Sequence, residues 1–198
     1  MLRSLVGSEM CIRDRFDQSE KPLAGIKVSD GLNVVETAAD GSFTLPGHER
    51  ERFIFITTPS GYKTFNRHYH KIEKKQSGYD FGLIPYSGRI RKDGSHRYIH
   101  ITDTEIFNTE NHADWVNNVR DYARNEQAAF IIHTGDICYE KGLKAHIKLM
   151  NTENMDCPVF YCIGNHDLVK GKYGEELFES IYGPVYYSFH AGNLHYVV

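Results

Sequence analysis

The chain has 198 residues, 40% hydrophobic and 25% charged, which marks an ordinary globular chain long enough to bury a core in one large or two small domains. Its formal net charge is −3, without a basic stripe or a block of like charges, so nothing in it points to nucleic acid or an anionic membrane as a partner. No apolar run is long enough to span a bilayer, and the four cysteines (Cys11, Cys138, Cys157, Cys162) are too few and too scattered for a disulfide framework.

Residues 1–15 (MLRSLVGSEMCIRDR) show no sustained periodicity and lack the apolar stretch of a signal peptide. They resemble translated adapter sequence, so they are expected to be disordered and outside the fold. Residues 16–86 read as all-β. Ile26-Lys27-Val28 and Val34 to Thr37 flank the turn Asp30-Gly31, and Asp40-Gly41 is a hairpin turn before Ser42 to Leu45. Phe53 to Thr57 is a further strand, stopped by Pro59-Ser60-Gly61, and Tyr79 to Leu83 is the last. Short strands with regular turn signals predict a small sandwich. Within it, Phe65-Asn66-Arg67-His68-Tyr69-His70 is open to several readings: a metal or sugar contact, a solvated loop, or residues at a module interface.

Residues 87–97 are polar and Gly-punctuated, the pattern of a linker. From 98 to 198 the texture is α/β. Tyr98 to Thr102, Ala129 to Thr134 and Pro158 to Ile163 are apolar strands. Between the strands lie helical stretches. One carries Trp115, Val116, Val119, Tyr122 and Ala123 on a single face, and the next turns Leu143, Ile147 and Met150 inward. A third helix over Glu175 to Tyr182 ends at Gly183-Pro184. Val185 to Phe189 and Leu194 to Val198 then form a hairpin about Ala191-Gly192-Asn193. The chain stops in an apolar strand, which reads as truncation and predicts an aggregation-prone edge.

Each of the three α/β strands runs into polar residues: Asp103, then Gly135-Asp136, then Gly164-Asn165-His166-Asp167. Open α/β sheets bind ligands at the carboxyl ends of their strands, so these exits are expected to share one crevice. Glu105 lies two residues after Asp103, and on a continuing strand both would face one way. The plain alternative for Asp103 and Asp136 is helix capping. His100, His133 and His195 lie within strands and read as core or supporting residues.

In that order, Asp103-Thr104-Glu105, Gly135-Asp136 and Gly164-Asn165-His166-Asp167 resemble the blocks of the calcineurin-like metallophosphoesterase family. Glu105 departs from it, standing where a His ligand is usual. Residues 16–86 resemble the β-sandwich that precedes the catalytic domain in one branch of that family. The resemblance implies a two-domain chain: a small all-β sandwich, then the first half of an α/β metallophosphoesterase domain. It implies a two-metal phosphoester hydrolase using Mn, Fe, Zn or Mg. Asp136 would bridge the ions, Asp103 would hold the first and Asn165 the second. His166 would act on the substrate as general acid or clamp, with Asp167 orienting its ring. Glu105 would replace the missing His as an oxygen ligand. Gly135-Asp136-Ile137-Cys138-Tyr139 also matches the Gly-Asp-x-x-Tyr block of purple acid phosphatases, in which Tyr139 would fill that corner instead.

The family's later Gly-His-x-His block does not follow His166. The resemblance therefore implies an incomplete site, weak metal binding and no turnover in this length of chain. It implies a phosphoester substrate and a secreted or periplasmic setting. The rival reading is a non-catalytic relative whose β module binds a glycan or partner.

Overall fold

Backbone alternation and turn chemistry account for most of the first half. In the computed structural model, which describes residues 4–5, 12–14, 21–73, 78–86, 89–169, 171 and 173–198, this half is built from short strands. They are β1 (Ser4–Leu5), β2 (Ile12–Asp14), β3 (Lys21–Pro22), β4 (Lys27–Ser29), β5 (Val34–Glu36), β6 (Leu45–Pro46), β7 (Phe53–Ile56), β8 (Tyr62–Thr64), β9 (Tyr69–Lys71) and β10 (Phe81–Pro85). One four-stranded sheet has the order β5-β4-β7-β9 and another the order β3-β2-β10-β8. Val28, Ile54 and Ile56 from the first sheet share a core with Phe81 and Leu83 from the second, closed by Phe43, Leu45 and Tyr79. At the predicted hairpin turn, Gly41 has φ 78° and Asp40 Oδ1 accepts from Ser42 N at 3.0 Å.

The expected disorder of residues 1–15 needs correction. The backbone of β1 pairs with β6, and β2 lies between β3 and β10. Strand pairing uses main-chain groups, so an extended segment without apolar periodicity can still fill an open sheet edge. The remainder of the first 20 residues, Cys11 included, lies outside the described residues.

The His-rich stretch divides: Phe65 to Arg67 are exposed, as a solvated loop would be, while Tyr69 is buried and both histidines pack against aromatic rings. His70 stacks against Tyr79 and Phe81, and its Nε2 meets the Asp80 carbonyl at 2.7 Å. The His68 ring packs on Tyr187 with centroids 4.6 Å apart, and burial lowers its pKa to about 4. The unfolded ring titrates near ~6.5, so between those values the folded state binds fewer protons than the unfolded one. The stability this confers is full above the upper value and is lost as pH falls toward the lower. We expect it to be on the order of 2 kcal/mol, discounted because part of the residue reaches the surface. His68→Phe keeps the ring packing and should flatten the acid limb of the first half's unfolding curve, followed by tyrosine near-ultraviolet dichroism. An unchanged limb would mean that His68 titrates normally.

The second half has β11 (Arg97–Ile101), α1 (Ala113–Asn125), β12 (Ala128–His133), α2 (Glu140–Leu149), β13 (Val159–Tyr161) and α3 (Glu176–Tyr182). The three strands form a parallel sheet in the order β11-β12-β13. Tyr98 and Phe130 stack across it, and Phe130 meets Phe160 edge-on. In α1 only Val116 and Ala123 of the expected stripe are buried, while Trp115 and Tyr122 are exposed. Residues 116 and 123 are seven apart, about two turns, and align on one narrow line toward the core; their neighbours sit about 100° around the helix. In α2, Leu143 and Met150 are buried as expected, and His146 joins them.

Residues 89–96 belong to this second unit. Arg89 donates to the Ala128 carbonyl at 3.1 Å and to Asp156 at 3.2 Å, and Ile90 bridges to His96. The closing hairpin, β14 (Ser188–Ala191) and β15 (Leu194–Val197), groups instead with the first unit. Thr58 bridges to Phe189 and accepts from His190 N at 2.9 Å. The main chain just past β7 thus offers pairing groups that sequence pattern alone does not reveal. Leu194 and Val197 are exposed.

Candidate active site

The site residues lie where the three parallel strands end. Asp103 follows β11 with φ 52°, Glu105 has φ 45°, and Asp136 follows β12 with φ 50°. Non-glycine residues adopt this region rarely, and such strain gathers at functional loops. It also ends the strand at once. Asp103 and Glu105 therefore stand in irregular chain, and the expected shared strand face does not exist.

Exits one and two are tied by main-chain bonds. Asp103 N donates to the Gly135 carbonyl at 3.2 Å and Thr134 N to Ile101 at 2.9 Å. Buried His133 adds a side-chain link. Gly135 N donates to its Nδ1 at 3.2 Å, so the neutral ring carries its proton on Nε2, which reaches Thr104 Oγ1 at 3.0 Å. Thr104 then donates to the Ile137 carbonyl at 3.4 Å. Burial lowers the His133 pKa to about 4, against the pull of nearby Asp103 and Asp136, and keeps the ring neutral. Behind it, His146 is held by the Tyr182 hydroxyl at 2.9 Å, and burial lowers its pKa to about 3.

Exits two and three are tied more closely. Gly135 and Gly164 pack backbone to backbone, and a Cβ on Gly164 would collide with the main chain and carboxylate of Asp136. His166 N donates to Asp136 Oδ1 at 3.0 Å. Asp167 is fully buried. One of its oxygens accepts from Ile137 N at 2.9 Å and Cys138 N at 3.1 Å, the other from Gly164 N at 2.9 Å. Burial raises its pKa and these amide bonds oppose the rise. The expected role of Asp167 as orienter of the His166 ring is corrected by these contacts: both oxygens serve backbone amides, and the residue fastens the loop after β12 to the turn after β13.

His166 is half-buried, with its ring stacked on Tyr139 at 5.1 Å between centroids and 20° between planes. Neither ring nitrogen has a hydrogen-bond partner among the described residues. Tyr139 itself is 56% exposed. Asn165 is exposed on the same short turn, Asn165–Asp167. The capping alternative for the aspartates is not realised at the flanking helices: His112 and Tyr139 occupy the N-cap positions of α1 and α2, without side-chain cap bonds. Cys138 and Cys162 are free thiols, and Cys138 and Cys157 are buried.

The family profile described as calcineurin-like phosphoesterase matches residues 96–195. The chain belongs to the calcineurin-like phosphoesterase family. The profile described as the N terminal of calcineurin-like phosphoesterase matches residues 10–85, the strand-rich half. A search of curated proteins finds no match.

Calcineurin-like phosphoesterases hydrolyse phosphoesters with divalent metal ions at the family level. The residues at this edge fit such ions in kind: two adjacent aspartates not spent on helix caps, an exposed amide, and a further exposed carboxylate at Glu105. They are not drawn together as tightly as expected. Among the described residues, the carboxylates of Asp103, Glu105 and Asp136 do not form a set with all oxygens within 4.8 Å of one another. The His133–Thr104 link and the amide cradle of Asp167 went unread in the sequence. A polar residue at the end of an apolar strand is the only local signal for the first, and the second has none that separates bracing from chemistry.

Proposed function

We propose that the carboxyl edge of β11–β13 is the substrate site of a metal-dependent phosphoester hydrolase. The observation that supports this reading is the fastening of the three strand exits, through Asp103 N to the Gly135 carbonyl and His166 N to Asp136 Oδ1. In this reading Asp103, Asp136 and Asn165 would hold two divalent ions, with Asp136 shared, Asp103 serving the first and Asn165 the second. Such ions, whether Mn, Fe, Zn or Mg, neutralise phosphate charge and activate water. His166, steadied by Tyr139 and with no hydrogen bond to its ring nitrogens among the described residues, gives a proton to the leaving oxygen or clamps the phosphoryl group. Glu105 is the further ligand in this reading, with Tyr139 as its alternative. Asp167 and His133 position the loops. Phosphate monoesters, diesters and nucleotide pyrophosphates all suit such a core.

With no Gly-His-x-His block after His166, the 198-residue chain should bind Mn weakly at this edge and give no detectable turnover. Calorimetric titration with Mn beside a phosphodiester assay tests this. Tight binding of two ions with turnover would show that the later histidines are dispensable. Complete absence of Mn binding at this edge, read by paramagnetic broadening of the Asn165 and His166 amides, would favour the non-catalytic reading.

A further inference from the structure

A second group of ligand side chains lies in the strand-rich unit. The donor atoms of Asp30, His48 and Glu51 all fall within 4.8 Å of one another. Asp30 is buried and shaped by its own turn: Oδ1 accepts from Leu32 N at 2.9 Å and Asn33 N at 2.7 Å, and Oδ2 accepts from Asn33 Nδ2 at 3.0 Å. His48 and Glu51 belong to a second turn, in which His48 N donates to Glu51 Oε2 at 3.1 Å. His48 Nε2 is buried without a hydrogen-bond partner, 3.5 Å from Asp30 Oδ1. A buried polar nitrogen left unpaired is costly, and this gap is too long for an N–H···O bond or a charge-assisted one.

We propose that Asp30, His48 and Glu51 bind one divalent transition-metal ion of the zinc class. A tetrahedral ion with bonds of about 2.1 Å sets its ligands about 3.4 Å apart, close to the Nε2–Oδ1 gap. One imidazole and two carboxylates suit zinc or cobalt and leave a fourth position for water. Calcium, which wants six or more oxygens, is disfavoured by the nitrogen. The ion would join the 30–33 turn to the 48–51 turn and so staple a small module.

Binding has a specific proton consequence. Arg50 N donates to His48 Nδ1 at 3.2 Å, so the metal-free neutral ring carries its proton on Nε2. Coordination by Nε2 needs that position bare. The proton moves to Nδ1, the ring stays neutral, and the Arg50 bond is given up.

The test uses the full 198-residue chain carrying Asp136→Asn, which removes the charge of the other metal reading, so the two fail separately. Cobalt titration should give the visible bands of one tetrahedral ion without thiolate charge transfer. His48→Gln and Glu51→Gln, each added to that chain, should weaken binding at least tenfold. Nitrogen-15 spectra should show the His48 proton passing from Nε2 to Nδ1 on addition of zinc. Unchanged cobalt affinity in either variant overturns the site. So does a His48 ring that keeps its Nε2 proton in zinc, a readout that survives if a variant fails to fold.

Discussion

Asp136→Asn should strip divalent metal from the strand exits, while His166→Asn should leave metal content near wild type. The two residues touch, since His166 N donates to Asp136 Oδ1, yet their side chains are placed for different work. Asp136 Oδ2 has no hydrogen bond among the described residues, so the second oxygen of a charged carboxylate remains for ligation. An amide there keeps the main-chain contact through its oxygen and loses the charge. The His166 ring instead stacks on Tyr139 and can be exchanged without loss of a carboxylate. In any form of the protein that turns over a phosphoester, His166→Asn should lower kcat by roughly 10²–10⁴, the usual range for a general acid. Mn titration of the two variants checks the metal roles, and phosphodiester turnover in a catalytically active form checks the role of His166. Equal metal loss in both would mean that the assigned roles are wrong. Glu105→Ala and Tyr139→Phe belong in the same series: a visible charge-transfer band lost only with Tyr139→Phe would move the first metal's extra ligand from Glu105 to Tyr139.

The strand exits were legible because their signal is local. An apolar run followed by Gly-Asp or Gly-Asn-His-Asp names both the strand and its end, and parallel strands put such ends on one side. The sandwich was legible for the same reason, through Asp40-Gly41 and the alternating strands around it. What escaped depends on partners far away in sequence. Asp167 looks like a neighbour for His166 until Ile137 and Cys138, some 30 residues earlier, are seen to donate to it. The strand face shared by Asp103 and Glu105 failed because both adopt left-handed backbone, which no residue type in Asp103-Thr104-Glu105 demands. Asp30, His48 and Glu51 are drawn together only by the meeting of two turns, so no spacing announces them.

Asp167→Ala should be the most damaging single substitution at the site, although Asp167 touches no proposed ligand atom. Its carboxylate is the partner of three backbone N–H groups, on Ile137, Cys138 and Gly164. Each buried donor left unsatisfied costs about 1–3 kcal/mol, and water entering the gap recovers part of it. A loss of about 3–5 kcal/mol is expected for the second unit. Asp167→Asn keeps one accepting oxygen but turns an amide N–H₂ toward other donors. Burial already disfavours the charge on Asp167, so the neutral isostere should lose less, about 2–3 kcal/mol. Because the chain has two compact units, a single melting curve would blur the effect. Amide exchange reads it locally: Ile137 and Cys138 should exchange roughly a hundredfold faster in the alanine variant, while Val28 and Ile56 in the other unit keep their protection. If all four amides hold their wild-type rates, the cradle does not form in solution, and the placement of His166 beside Asp136 loses its main support.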